Sequence, residues 1–386
     1  MVKEQHNRRR NAYKAANGHF DFVLLIVVLF LVAFGLLMIY SASSYKAGLD
    51  YGDPAYFLKK QLLSTLIGFG ALIVTVRIPY RLWKELDLWI GLVGILVIPL
   101  VKIPGLGVTA NGATRWIDLN IVTVQPAEIT KLCMIIYLAA VIAKLGKNIR
   151  TRKGLMIALI PPTIAAILIY AITKNLSSAV IVMGIAVAML FVALPNYKVF
   201  VVSGIAVIAV VVGVVLYAVS GSDVESFRLL RVQAWLHPED FSTDKAFQTL
   251  QSLYAIGSGG IWGKGLGQSM QKMGFLPEAQ NDMIFSILCE ELGLFGAITV
   301  IFLFAILIWS CMVIANNTED MFGALLVVGV MAHFAIQVIL NIGVVTNTIP
   351  NTGITLPFIS YGGSSIVFLL IEIGLVLNVS RGMREQ

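Results

Sequence analysis

The sequence predicts an all-α polytopic membrane protein of about ten transmembrane helices, with a long extracytoplasmic loop between helices 7 and 8. Three observations carry that prediction. Of 386 residues, 58% are hydrophobic and 13% charged, where an ordinary soluble chain is about 45–50% apolar and about 25% charged. The 28 Lys and Arg with 21 Asp and Glu are too few to solvate so much Val, Ile and Leu as two or three soluble domains. The apolar residues also come in blocks long enough to cross a hydrocarbon core about 30 Å thick.

Spans are expected near 22–40, 62–76, 86–101, 129–143, 155–172, 178–193, 199–219, 283–314, 322–345 and 364–379. Several fall short of the usual ~20 residues and so extend into polar flanks. The first follows Arg8, Arg9 and Arg10 and precedes Ser41-Ala42-Ser43, which resembles a signal peptide with its cleavage site. Its apolar stretch exceeds the about 7–15 residues of a signal core, and more spans follow, so it reads as a retained helix. Ten spans put both termini on one side. That side gathers sixteen Lys and Arg, against seven opposite once the loop 220–282 is set aside, because long translocated loops obey the charge rule weakly. Both termini are therefore expected in the cytoplasm, with 1–21 and 381–386 as tails and 22–380 as one transmembrane domain.

The net charge of +7 reads as membrane orientation and not nucleic-acid binding, because the basic residues sit in short loops and form no continuous face. Cys133, Cys289 and Cys311 lie in apolar segments without CxxC or metal-like spacing, and His6, His19, His237 and His333 are scattered. Buried free thiols are expected, and no metal cluster.

Three stretches depart from plain helices and connectors. The first is Asn111-Gly112-Ala113-Thr114-Arg115-Trp116, followed by Gln125-Pro126-Ala127-Glu128-Ile129-Thr130-Lys131. Pro126 suits the first turn of a helix, and the helix dipole favours Glu128 there. Glu128 and Lys131, at i and i+3, share a face and can pair. The alternatives are a structural ion pair or a polar cavity, since ionisable side chains at a membrane edge usually face one.

The second is the long loop. Phe227 to Trp235 is amphipathic, with Arg228 and Arg231 on its polar side, and suits the membrane interface. The glycine-rich run from Gly257 to Gly267 fails as a phosphate loop: no strand precedes it, and Lys264 is followed by Gly265 in place of Ser or Thr. Its glycines let backbone turn closely, and a backbone cradle for a diphosphate is the weaker reading. The loop ends Leu276-Pro277-Glu278-Ala279-Gln280-Asn281-Asp282. Asp282 is either an N-cap or a carboxylate of raised pKa that acts as a base. Glu290 and Glu291 lie about two turns into the next helix, so at least one faces the bundle interior.

The third runs from Thr346 to Ser365. Pro350, Pro357, Gly353, Gly362, Gly363 and many hydroxyls between apolar spans indicate a broken, partly re-entrant segment, against the alternative of an ordinary outer loop.

Together these motifs resemble the SEDS family (shape, elongation, division and sporulation), the polytopic bacterial proteins FtsW, RodA and SpoVE. They are Asn-Gly-Ala-x-Arg-Trp with Gln-Pro-Ala-Glu, Leu-Pro-Glu-x-x-x-Asp before Glu-Glu-Leu-Gly, and Thr-Gly-Ile-x-Leu-Pro with Ser-Tyr-Gly-Gly-Ser-Ser. The likeness runs from Tyr40-Ser41-Ala42-Ser43 to the final helix, and Gln251 to Gly260 and Asn111 to Trp116 look most like FtsW. Asn281 and Met283 depart from the Thr and Phe common in relatives but leave the carboxylate in place.

The resemblance implies a peptidoglycan glycosyltransferase at the bacterial cytoplasmic membrane. It would polymerise lipid II into β-1,4-linked glycan with release of undecaprenyl diphosphate, for septal wall synthesis in cell division. The implied partners are a class B penicillin-binding protein, which supplies the transpeptidase, and other division proteins. Asp282 is the implied catalytic acid, and Glu128 and Lys131 are cavity residues. Substrate binding is further expected of Arg115, Glu278, Ser360, Tyr361, Gly362 and Gly363. The leaving diphosphate needs positive charge, from Arg115, Lys131 or a divalent cation such as Mg or Mn. The competing readings are a transporter that flips the lipid-linked precursor, a sporulation or elongation paralogue, and a scaffold that recruits the penicillin-binding protein.

Overall fold

The computed structural model describes residues 20–110, 113–118, 123–195, 198, 200–202, 204–205, 213, 233, 235–241 and 246–382. Its helices are α1 (Phe22–Tyr51), α2 (Tyr56–Arg77), α3 (Arg81–Glu85), α4 (Asp87–Leu96), α5 (Pro126–Leu145), α6 (Arg152–Thr173), α7 (Leu176–Ala193), α8 (Phe247–Gly259), α9 (Ile284–Asn317), α10 (Met321–Val345) and α11 (Gly363–Ser380). Among the described residues, eight helices are long and apolar enough to cross a membrane: α1, α2, α5, α6, α7, α9, α10 and α11. The chain is a polytopic helical membrane protein. On the outward faces of these spans Phe22, Phe302 and Ile339 stand exposed, the reverse of a soluble surface.

Eight of the ten expected spans are therefore present among the described residues. The expected span 86–101 instead divides into the ten-residue α4 and a 3-10 turn, Ile98–Lys102, with Pro99 in its first turn. Proline lacks the N–H that would continue the α-helical ladder. The expected span 199–219 falls largely outside the described residues, as do Phe227, Arg228 and Arg231. Ser41 lies inside α1, fully helical and buried, so the stretch that resembles a cleavage site is the continuation of a 30-residue helix.

α5 sits at the centre. From Pro126 to Ile142 it is buried on nearly every side, as expected of a helix without a polar face. It carries Glu128 and Lys131 into the bundle. α11 packs along α2 at close range, because Gly68 faces Val367 and Gly374 faces Leu72 without a side chain between the backbones.

Two features add to the helical bundle that the sequence predicts. A small antiparallel sheet, β1 (Gly107–Ala110), β2 (Ala113–Asp118) and β3 (Thr123–Val124), precedes α5. Val108 pairs with Trp116 and Ile117 with Val124, the β-branched and aromatic residues that favour a pleated surface. Second, α9 is broken at Gly293, whose φ of 66° and ψ of −164° interrupt the helix. The glycine-rich run fills the break. Lys264 and Gly265 donate backbone N–H bonds to the carbonyls of Glu290 and Glu291, both 2.9 Å, and Leu294 N–H returns one to Gly260 at 3.0 Å. A Cβ on Gly263 would stand 2.2 Å from the Glu291 carbonyl oxygen, so only glycine admits this approach.

Candidate active site

Two carboxylate settings lie at the end of the bundle where α5, α9 and α11 begin. Pro126 opens α5 as its first residue and places Glu128 in the first turn. The Lys131 ammonium lies 2.8 Å from Glu128 Oε1, and both side chains are nearly inaccessible. The expected pair is present, and it belongs to a network. Ser365 Oγ donates to Glu128 Oε2 at 3.3 Å, and Ser364 Oγ accepts the Gln125 N–H at 3.1 Å. The first two serines of α11 thus hold the start of α5. Lys131 reaches Gln337 Oε1 at 3.5 Å, and the Gln337 amide donates to the Thr355 carbonyl at 2.9 Å.

One helical turn along α10 from Gln337, Asn341 repeats the arrangement for the second setting. Its amide donates to the Asp282 carbonyl at 2.8 Å and to the Ile354 carbonyl at 2.7 Å. Gln337 and Asn341, four residues apart, share a face of α10, and that face touches both the Lys131 side chain and the Asp282 backbone. Residues 351–356 have no regular structure, and Ile354 and Thr355 of this stretch bond to both amides of that face, as the re-entrant reading expects. Leu356, Phe358 and Ile359 are buried within the bundle, where protein covers the irregular backbone.

Asp282 is not an N-cap. Met283 holds that position, without a side-chain cap. The Asp282 carboxylate is buried, and its partner is the Gln248 amide of α8, at a long 3.4 Å from Oδ1. Burial first, and then the neighbouring Glu278 carboxylate, push its pKa from 3.8 up to about 7, while the Gln248 amide pulls the other way. Glu278 itself stands in left-handed backbone, φ 54°, and accepts a bond from the Asn281 amide. A buried carboxylate poised near neutrality is suited to take a proton from a hydroxyl.

The remaining expected residues build the walls. Ser360 Oγ accepts the Leu356 N–H at 2.7 Å. Tyr361 N–H donates to the Gln280 carbonyl at 2.8 Å, and its ring packs edge-on against Phe57. Gly362 N–H donates to Gln61 Oε1 at 3.1 Å, and Gly363 opens α11. Arg115 lies on the carbonyls that end α6, donating to Thr173 at 3.2 Å and to Lys174 at 3.5 Å. Its guanidinium therefore caps a helix C-terminus, a favoured place for a cation.

Glu290 and Glu291 are both fully buried and fully partnered. Glu290 accepts from Lys264 Nζ at 2.8 Å, Ser269 Oγ at 2.5 Å and the N–H groups of Met270 and Gln271. Glu291 accepts from Lys272 Nζ and Ser41 Oγ, each at 2.7 Å. With Lys264 and Gly265 N–H groups bonded to α9, a diphosphate cradle in the glycine run is overturned. Sequence reasoning missed Gln248, Asn351 and the stripe His333, Gln337 and Asn341 on α10. The i, i+4, i+8 spacing of that stripe within an apolar span is the signal that marks it. Its deepest member, His333, lies 2.8 Å from Glu372 of α11.

The family model described as "Cell cycle protein", FTSW_RODA_SPOVE, matches residues 21–385. Stage V sporulation protein E of Bacillus subtilis (strain 168) is 40% identical over 365 residues, 94% of this chain and 98% of that protein. A probable peptidoglycan glycosyltransferase FtsW of Trichlorobacter lovleyi is 38% identical over 370 residues, 95% of this chain and 94% of that one. Among solved structures, a chain of a peptidoglycan synthase complex that coordinates polymerization and crosslinking superposes with a TM-score of 0.76. It is 23% identical and covers 94% of this chain and 98% of its own. The rod shape determining protein RodA of Thermus thermophilus superposes with a TM-score of 0.68 at 22% identity, covering 95% and 99%.

Proposed function

The chain belongs to the FtsW/RodA/SpoVE family, and from that premise we propose that it is a peptidoglycan glycosyltransferase that polymerises lipid II. The observation that carries the reading is Asp282, a buried carboxylate whose side-chain partner is the Gln248 amide and whose pKa burial pushes up to about 7; it is proposed to line a polar cavity that admits the substrate's head group. In the proposed reaction Asp282 takes the proton of a sugar hydroxyl as that oxygen attacks the anomeric carbon of a lipid-linked donor. The glycosidic bond forms with inversion, the bond to the diphosphate breaks, and undecaprenyl diphosphate leaves. Lys131, steadied by Glu128 and Gln337, is proposed as the cation for the leaving group. Arg115, Glu278 and residues 360–363 are proposed to shape the substrate's head-group site.

A divalent cation enters the proposal as one carried by the substrate's diphosphate. Among the described residues no group of three His, Cys, Asp or Glu side chains gathers to hold a metal ion, and no step above passes through one. Comparing glycan output with magnesium and with a chelator tests it. The cavity mouth is proposed to face outward, with both termini in the cytoplasm and the protein at the division septum, beside a class B penicillin-binding protein.

The test is lipid II polymerisation by the purified protein with its cognate penicillin-binding protein, whose transpeptidase serine is inactivated. Glycan from wild type and none from Asp282→Asn, with the complex intact, is the expected result. Lipid movement across vesicles without any glycan would replace the polymerase with a transporter.

A further inference from the structure

The Gln248 side chain joins three segments that are distant in sequence, and each of its polar atoms has one role. Its amide nitrogen carries two hydrogens. One goes to Asp282 Oδ1 at 3.4 Å and the other to the Pro277 carbonyl at 3.3 Å. Its oxygen accepts from Asn351 Nδ2 at 3.0 Å. Asn351 in turn accepts the Gly353 N–H through Oδ1 at 3.1 Å. The two outer ends are backbone groups with fixed roles, because a carbonyl only accepts and an N–H only donates. Flipping either amide would set like against like at both ends, so the network determines which atom of Gln248 faces Asp282. It must be the nitrogen.

We infer that Gln248 is a positioning residue for Asp282, itself held in orientation by Asn351 of the irregular segment. The inference rests on the reading of Asp282 as the base. The bond fixes Oδ1 and leaves Oδ2 as the oxygen that meets the attacking hydroxyl. Among the described residues no group of another residue donates to Oδ2; the carboxylate's remaining donor is Asp282's own backbone N–H. Oδ2 lies beside exposed Gly353, where a Cβ would come to 3.7 Å. An N–H donated to a carboxylate favours its ionised form. Burial and Glu278 act against ionisation, and Glu278 is the charged group that acts on Asp282. Gln248 therefore keeps the base both aimed and available, and Asn351 makes that depend on the position of residues 351–356.

The experiment is the pH dependence of lipid II polymerisation in the intact complex, for wild type, Gln248→Leu, Gln248→Glu and Asn351→Leu. Gln248→Leu should move the acid limb of kcat/KM up by about one pH unit, a loss of about tenfold at pH 6.5 that recovers by pH 9. Gln248→Glu, of the same shape, should move it further, because it replaces the donor with a like charge. Asn351→Leu should move it in the same direction by less. Complex formation by size exclusion shows that each variant is folded. An equal loss at every pH, or an unmoved limb, overturns the positioning role. Wild-type glycan output from Asp282→Asn would instead overturn the reading of Asp282 as the base.

Discussion

Asp282 and the pair Glu290 and Glu291 stand within ten residues of one another around the start of one helix, and they are treated in opposite ways. Glu290 is met by three side chains and two backbone N–H groups, and Glu291 by a lysine and a serine. Asp282 has one long amide bond from another residue, its own backbone N–H, and a repelling neighbour. A buried charge is costly unless paired and hydrogen-bonded, so the glutamates are built as joints. Asp282 carries a cost that the fold does not remove, which is the mark of a chemical group.

The sharpest way to break this comparison is Asp282→Asn, which should lower glycan synthesis by about 10²–10⁴-fold and at the same time stabilise the protein. A folded pKa raised above the unfolded value means stability falls as pH rises from about 4 to about 7. With 3.8 moved to about 7, the cost above pH 7 is about 4 kcal/mol. Thermal unfolding in detergent should show the variant gaining at pH 8 and not at pH 4. Lys272→Met should do the reverse at the joint, costing about 3–5 kcal/mol because Glu291 is left buried without its cation; the same unfolding assay reads it. Glu278→Gln removes the repelling charge, so the acid limb of the rate profile should move below pH 7. Smallest is Ser365→Ala, which deletes one bond to Glu128 and should cost about 1–2 kcal/mol.

Much of this was legible because the signals are local. Pro126 opens a helix by its own chemistry, Glu128 and Lys131 meet by helical spacing, and two prolines with three glycines cannot continue a span. The small sheet was legible but passed over: Asn111-Gly112 between runs of β-branched residues is a hairpin signal. Gln248 was not legible. Its importance comes from Asp282 and Asn351, 34 and 103 residues away, and no periodicity records such a meeting. The break at Gly293 was hidden likewise, since an apolar run reads as one rod until a partner for its freed carbonyls is known.

That break also bears on how the chain is made. The glycine-rich run with Lys264, and Lys272 beyond it, precede the helix they join, so both lysines are synthesised before Glu290 and Glu291. The residues after Gly293 are uninterrupted and apolar as far as Asn317, and can enter the bilayer alone. The turns before it carry two acids that enter only as their lysines close over them. Gly293 thus divides α9 into an apolar length that needs no partner and a polar start that is closed only by the loop.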